Sequence, residues 1–281
     1  MDSATSSLDS TIGVRLHRHW REKLPELSVN HDPYDHSYLE EFFPDDLYRE
    51  ILDQLPEPDQ YQPLNTKQWV RPDGESTRDI LTLTDEGVAH LPDGQREFWS
   101  QIGTALSSSF LKRFYFAALK QDVALRLGIS PEEAVDFPAY VSTLVVRDSD
   151  QYRIKPHPDG FPRLVTLVLY LPTDNSREDL GTSVYVQQPW HKRLTGQRYR
   201  EVGRFPYRPN SAAAFAVNDL PHRKSLHGRE LVQLDGCVRN LMIVTWFSEM
   251  PRQEKSRKLA AVPVHDCWPV EDLPTEHRRA G

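Results

Sequence analysis

The sequence predicts a mainly β protein with flanking helices, built on a double-stranded β-helix, or jelly-roll, core. Between residues 139 and 247, strand-length runs of Val, Leu, Thr, Tyr and Phe alternate with turn residues. About eight such runs fit a double-sheet jelly roll, which wraps Greek keys into a flattened barrel. Upstream, apolar residues recur at helical spacing. The chain carries 22 prolines against 13 glycines, which points to fixed turns rather than flexible linkers. At 281 residues a sizeable core can be buried, and one domain with extensions is expected. Its parts are a disordered leader at 1–15, a helical support region at 16–136, the jelly-roll core at 137–249 and a C-terminal extension at 250–281.

The opening residues, 1–13, are rich in Ser, Thr and Asp and lack the charged start and apolar stretch of a secretory signal. From 34 to 56 a short extended piece leads into a helix. Pro44 and Asp45 suit its start, Leu47, Ile51 and Leu55 give it one apolar face, and Pro56 stops it. Residues 59–85 show little periodicity and read as loops with possible short strands. A second helical region is expected over about 94–127, where Phe98, Ile102, Leu106, Phe110, Leu111 and Phe114 trace one stripe suited to backing a sheet. Residues 131–135 add a helical turn. The strand runs follow at 139–147, 152–157, 164–171, 182–187, 203–206, 212–217, 224–231 and 238–247.

Composition limits the partners. The net charge is −7 with no concentrated positive face, so a nucleic-acid partner is not expected. No apolar run is long enough to span a bilayer, and no membrane partner is expected. Cys237 and Cys267 form no disulfide framework and have no Cys-x-x-Cys spacing, for which a reducing, cytoplasmic setting is the simplest fit. The oligomeric state stays open between monomer and homodimer.

The chemistry centres on Lys155-Pro156-His157-Pro158-Asp159-Gly160. On an extended segment, side chains two positions apart point the same way, so His157 and Asp159 can reach one metal. The same residues also make an ordinary turn, so a third ligand is needed. His222 and His227 are the downstream choices. His222 follows a Leu-Pro turn, whereas His227 enters a strand and is preferred. Two imidazoles and a carboxylate form a facial set that binds Fe(II) and leaves positions open. Arg239 opens an otherwise apolar strand. It can grip a ligand carboxylate with paired hydrogen bonds, or bond a neighbouring acid or backbone carbonyl.

In this order and strand placement, His157, Asp159, His227 and Arg239 resemble the Fe(II)/2-oxoglutarate-dependent dioxygenase superfamily. The extended-piece-then-helix start at 38–55 looks like its prolyl-hydroxylase-like branch. The resemblance implies that His157, Asp159 and His227 hold Fe(II), that Arg239 pairs with the distal carboxylate of the cosubstrate 2-oxoglutarate, and that O2 is consumed with release of succinate and CO2. It also implies hydroxylation, or desaturation or ring closure, at a substrate C–H bond. A carboxylate at 159, where related halogenases carry a small residue, disfavours halogenation.

Tyr170 could bond 2-oxoglutarate. Strand parity places Arg153 and Lys155 on the face of His157 as possible substrate contacts, with Arg147 and Asn218 as further candidates. The substrate expected is a small polar molecule such as an amino acid or natural-product intermediate. The alternatives are a peptidyl or protein hydroxylase of the same superfamily, and a cupin-like metal protein that does not use 2-oxoglutarate.

Overall fold

The computed structural model describes residues 11–64, 70–71, 74–194, 196, 198–230, 236, 238–250 and 261–264. Most of the expected leader and C-terminal extension, and most of the hairpin turn before Arg239, lie outside them.

Helices come first. α1, Ile12–Lys23, begins inside the expected leader and buries Ile12, Leu16 and Trp20, spaced four apart on one face. α2, Asp45–Asp53, has Asp45 and Asp46 in its first turn, where carboxylates complement the helix dipole, and buries Leu47 and Ile51. The helical region expected at 94–127 is three helices: α3, Asp93–Leu106, α4, Ser109–Ala118, and α5, Lys120–Leu127. The break after α3 is chemical. The Ser108 hydroxyl accepts from the Leu111 amide and so starts a new helix inside one continuous apolar stripe. α5 ends at Gly128, whose φ of 69° is the left-handed cap that glycine adopts freely. α6, Pro131–Asp136, starts with a Ser130/Glu133 capping box.

The strands are β1 Val29–Asn30, β2 His36–Glu40, β3 Gln62–Pro63, β4 Arg78–Thr82, β5 Tyr140–Asp148, β6 Ile154–His157, β7 Arg163–Tyr170, β8 Thr182–Gln187, β9 Tyr199–Phe205, β10 Ser211–Ala216, β11 His227–Arg229, β12 Arg239–Phe247 and β13 Val262–Pro263. A short helix, α7, Trp190–Leu194, joins β8 to β9.

The larger sheet has the order β1-β2-β10-β7-β12-β5-β4-β3, with β13 also on β5, and the smaller has the order β6-β11-β8-β9. All their pairings are antiparallel. From β5 to β12 the chain passes repeatedly between sheets, which is the jelly-roll path. β1 and β2 extend the larger sheet at one edge, and β3 and β4 at the other.

Alternation along each strand separates two cores. Val165, Leu167, Leu169, Ala212, Ala214, Met242, Val244 and Trp246 face the helices and pack with Leu16, Trp20, Ile102 and Phe116. Their neighbours Val168, Tyr170, Ala213, Phe215 and Leu241 face the interior between the sheets, with Val184 and Phe205 opposite. The helical half is therefore a backing that leaves the space between the sheets to the site. No helix among the described residues is long and apolar enough to cross a membrane.

Candidate metal centre

β6 and β11 pair so that His157 and His227 are directly opposite. Their rings are 4.6 Å apart, and Phe215 of the larger sheet packs on His227 at 4.4 Å. Asp159 lies just past the end of β6, so strand alternation does not carry it to the histidines. The turn does, and it is held by Arg163, whose Nη1 donates to Oδ1 at 3.0 Å, and by the Thr166 hydroxyl, which donates to Oδ2 at 3.5 Å. Nε2 of His157 and Nε2 of His227 each lie 3.7 Å from an Asp159 oxygen, and all three residues offer ligand atoms within 4.8 Å of one another.

The donor set fits a divalent metal. His157 Nδ1 lies 3.0 Å from the Lys155 carbonyl and His227 Nδ1 lies 3.0 Å from the Ser225 carbonyl. A carbonyl can only accept, so each Nδ1 carries the proton and each Nε2 turns a lone pair toward Asp159. Burial, offset only in part by Asp159, pushes the His227 imidazole down to about 4, so it is neutral at pH 7 as a ligand must be. Burial alone would raise the Asp159 carboxyl, but Arg163, His157 and His227 outweigh it and hold it well below the usual carboxylate range.

The loop that delivers His227 is tied down from outside the barrel. Buried Asp35 and Asp122 exchange backbone bonds, the Asp35 amide donating to Asp122 at 2.6 Å and the Asp122 amide to Asp35 at 3.1 Å. Arg223 donates to both carboxylates, at 2.7 Å and 3.4 Å. Asn218 is fully buried and spent on the same loop, accepting from the Leu220 amide at 3.1 Å, so its amide is not aimed at a substrate. His222 is exposed in this loop and outside the histidine cluster.

β4, β5, β11 and β12 bring a second, buried charged group together. Asp148, fully buried, accepts from Arg78 Nε at 2.6 Å, from Arg78 Nη2 at 2.9 Å and from Arg239 Nη1 at 2.8 Å. Arg239 also donates Nε to the Leu180 carbonyl at 2.6 Å, and lies 5.6 Å and 5.5 Å from the ring centres of Tyr170 and Tyr207. It thus has both a neighbouring acid and a backbone carbonyl as partners. The Tyr170 hydroxyl donates to Thr182 Oγ1 at 2.8 Å and accepts from the Thr182 amide. Burial would raise the Asp148 carboxyl, but Arg78 first, then Arg239 and Arg229, bring it below its ordinary value.

The remaining candidates are elsewhere. Arg147 is on the face of β5 opposite to Asp148 and pairs with Asp79 at 3.3 Å, away from the interior. Arg153 and Lys155 are exposed. Parity fails for them because β6 is bulged: His157 pairs with His227 but Ile154 with Arg229, so three steps on one strand face two on the other. Sequence reasoning missed Arg229, Arg78 and Asp148. The signal for Arg229 was present, since it stands two positions after His227 on the same strand.

The sequence matches no protein-family model and no curated protein. Solved structures to which it is similar include a prolyl hydroxylase from Trichoplax adhaerens in complex with a hypoxia inducible factor oxygen degradation domain peptide fragment. That pair has 12% identity, a TM-score of 0.48, and covers 88% of this chain and 94% of that one. Another is a 2OG-Fe(II) oxygenase family oxidoreductase from Burkholderia pseudomallei, at 12% identity, TM-score 0.45, and 76% and 86% coverage. A third is a Pseudomonas putida prolyl-4-hydroxylase, at 17% identity, TM-score 0.42, and 75% and 91% coverage. At such low identities and TM-scores, the function has to come from the chemistry of the site itself. That site is a two-histidine, one-carboxylate cluster between the sheets of a jelly roll, of the kind that suits Fe(II) with positions left open.

Proposed function

We propose that the protein is a non-haem Fe(II) and 2-oxoglutarate-dependent oxygenase acting on a C–H bond of a small polar molecule, such as an amino acid or natural-product intermediate. The observation that carries this is the pairing of two sites on one short strand. β11 contributes His227 to the metal cluster and Arg229 to the buried cationic group around Asp148. A metal that needs a chelating acid therefore stands beside a place for a second, distal carboxylate. His157, Asp159 and His227 would hold the iron, which when bound supplies O2 activation coupled to decarboxylation of 2-oxoglutarate. The chain's own work is orientation: the two Nδ1–H···O=C bonds fix the imidazoles, and Arg163 with Thr166 fix the carboxylate. Tyr170 and Thr182 line the same interior and fix the wall beside Arg239.

The test is succinate release with Fe(II), 2-oxoglutarate and O2 across a panel of amino acids, small metabolites and peptides. Turnover on free metabolites is expected, and turnover on peptides alone would move the substrate class to proteins. Asp159→Ala should abolish substrate-coupled turnover, and full activity in that variant would remove Asp159 from the metal site.

A further inference from the structure

The two sheets part along one side of the barrel, where a groove of about 380 Å³ opens between β1 with β2 on one lip and β9 on the other. A chain of ring contacts, His36 to Tyr34 at 5.5 Å, Tyr34 to Phe215 at 6.3 Å and Phe215 to His227 at 4.4 Å, separates it from the metal cluster. Gly203 holds the groove open. It pairs with Val184 of the interior face, so a side chain at 203 would point into the groove, and a Cβ there would meet nothing within 4 Å. Gly203 is not among the glycines with positive φ, so the backbone does not require it either. A glycine inside a strand weakens it, and here its contribution is the empty volume.

The polar lining has a definite pattern. Asn30 and His36 are direct partners across β1 and β2, which sets both side chains on one face. Asn30 Oδ1 accepts from the Asp32 amide at 2.9 Å, leaving Nδ2 as a donor with no partner among the described residues. His36 Nδ1 lies 2.7 Å from the Tyr34 carbonyl, so in the neutral ring it carries the proton and Nε2 presents a lone pair, also without a partner among the described residues. A free donor and a free acceptor therefore stand side by side. Next to them the Tyr38 and Phe205 rings lie parallel within 5°, their centres 6.4 Å apart. The lining arginine offers nothing to an anion, since Arg204 spends Nε and Nη2 on Glu201 and Nη1 on the Asp179 carbonyl. The bulge in β9 and its charged Arg200, Glu201 and Arg204 guard this edge against an added strand, which favours a compact ligand over an extended peptide.

We propose that the groove is a second ligand site, for an uncharged planar ring whose edge carries an N–H beside a C=O, as in a cyclic amide or a pyrimidine. The N–H donates to His36 Nε2, the C=O accepts from Asn30 Nδ2, and the ring lies against the aromatic wall of Tyr38 and Phe205. The site is independent of the oxygenase reading. The experiment is saturation-transfer NMR titration of the full chain with uracil and with 1,3-dimethyluracil, which keeps the ring and loses both N–H donors. Wild type should bind uracil in roughly the millimolar range and the dimethyl compound roughly 3- to 10-fold more weakly. Gly203→Leu, which fills the groove without backbone strain, should lose uracil binding while keeping the wild-type melting temperature and Mn(II) affinity. Asn30→Asp keeps the oxygen that the Asp32 amide needs and removes the donor. It should weaken uracil binding roughly 10-fold, and it decides the matter if the leucine variant does not fold. No uracil binding by wild type, equal affinity for the two rings, or undiminished uracil binding in either folded variant overturns the site.

Discussion

Asp148 is the counter-charge that makes the cationic interior foldable. Removing it takes from Arg78 and Arg239 a buried carboxylate that both bond and Arg229 faces, and stripping one partner from a buried ionic group costs about 3–5 kcal/mol. Asp148→Asn should therefore lower the urea midpoint sharply at pH 7. The pH dependence has a definite sign. The folded-state pKa of Asp148 lies below its unfolded value, so its contribution is fully present above about pH 4 and is lost as the pH falls further. The gap between wild type and variant should narrow in acid, as denaturation curves at pH 7 and pH 3 would show. The sequence made the candidate metal cluster legible at this scale, because His157, Asp159 and His227 are chemically distinctive and the structure brings them together. It hid Asp148, since an aspartate ending an apolar strand looks like a turn residue until Arg78 and Arg239 are seen converging on it from other strands.

Strands β6 and β11 set His157 and His227 opposite one another, and Gly228 lets the strands approach. A Cβ at Gly228 would lie 2.7 Å from the Ile154 carbonyl oxygen and 3.1 Å from the Pro156 nitrogen. The bulge in β6 can fold over β11 only because position 228 has no side chain. Gly228→Ala should cost about 1–3 kcal/mol by forcing the strands apart, and should weaken Mn(II) binding because the two histidines sit on the strands being separated. Titrating Mn(II) into the folded variant checks it, and unchanged affinity would show that the bulge does not position the ligands. The eight core strands could be read from alternation and turn residues, and the observed bounds of 182–187 coincide with those expected. The bulge could not be read, because a register shift is a relation between strands. That is why Lys155, assigned inward by parity, is exposed. The division of the helical region at Ser108 is a similar case, with a capping hydroxyl overriding an unbroken apolar stripe.

At the scale of the whole molecule, the larger sheet separates support from chemistry. One face is a dry apolar seam against the helices, and the other looks into the charged interior. The fold class followed from the order of the strand runs, whereas the pairing of β1 and β2 with β10 depends on contacts far apart in sequence. The opposition of His227 to His157 is the most consequential of these distant contacts. Bringing together points about 70 residues apart carries a loop-closure entropy of roughly 4 kcal/mol, and strand pairing supplies it before any ion arrives. On the proposed reading an ion would meet a ready-made chelate, and a fragment bearing only the His157-Pro158-Asp159 triplet should bind it far more weakly than the intact chain. Mn(II) affinity thus doubles as a gauge of ring closure: followed through a urea titration, it should vanish at the same midpoint as the far-ultraviolet signal, and loss at a lower midpoint would mean that the smaller sheet opens by itself.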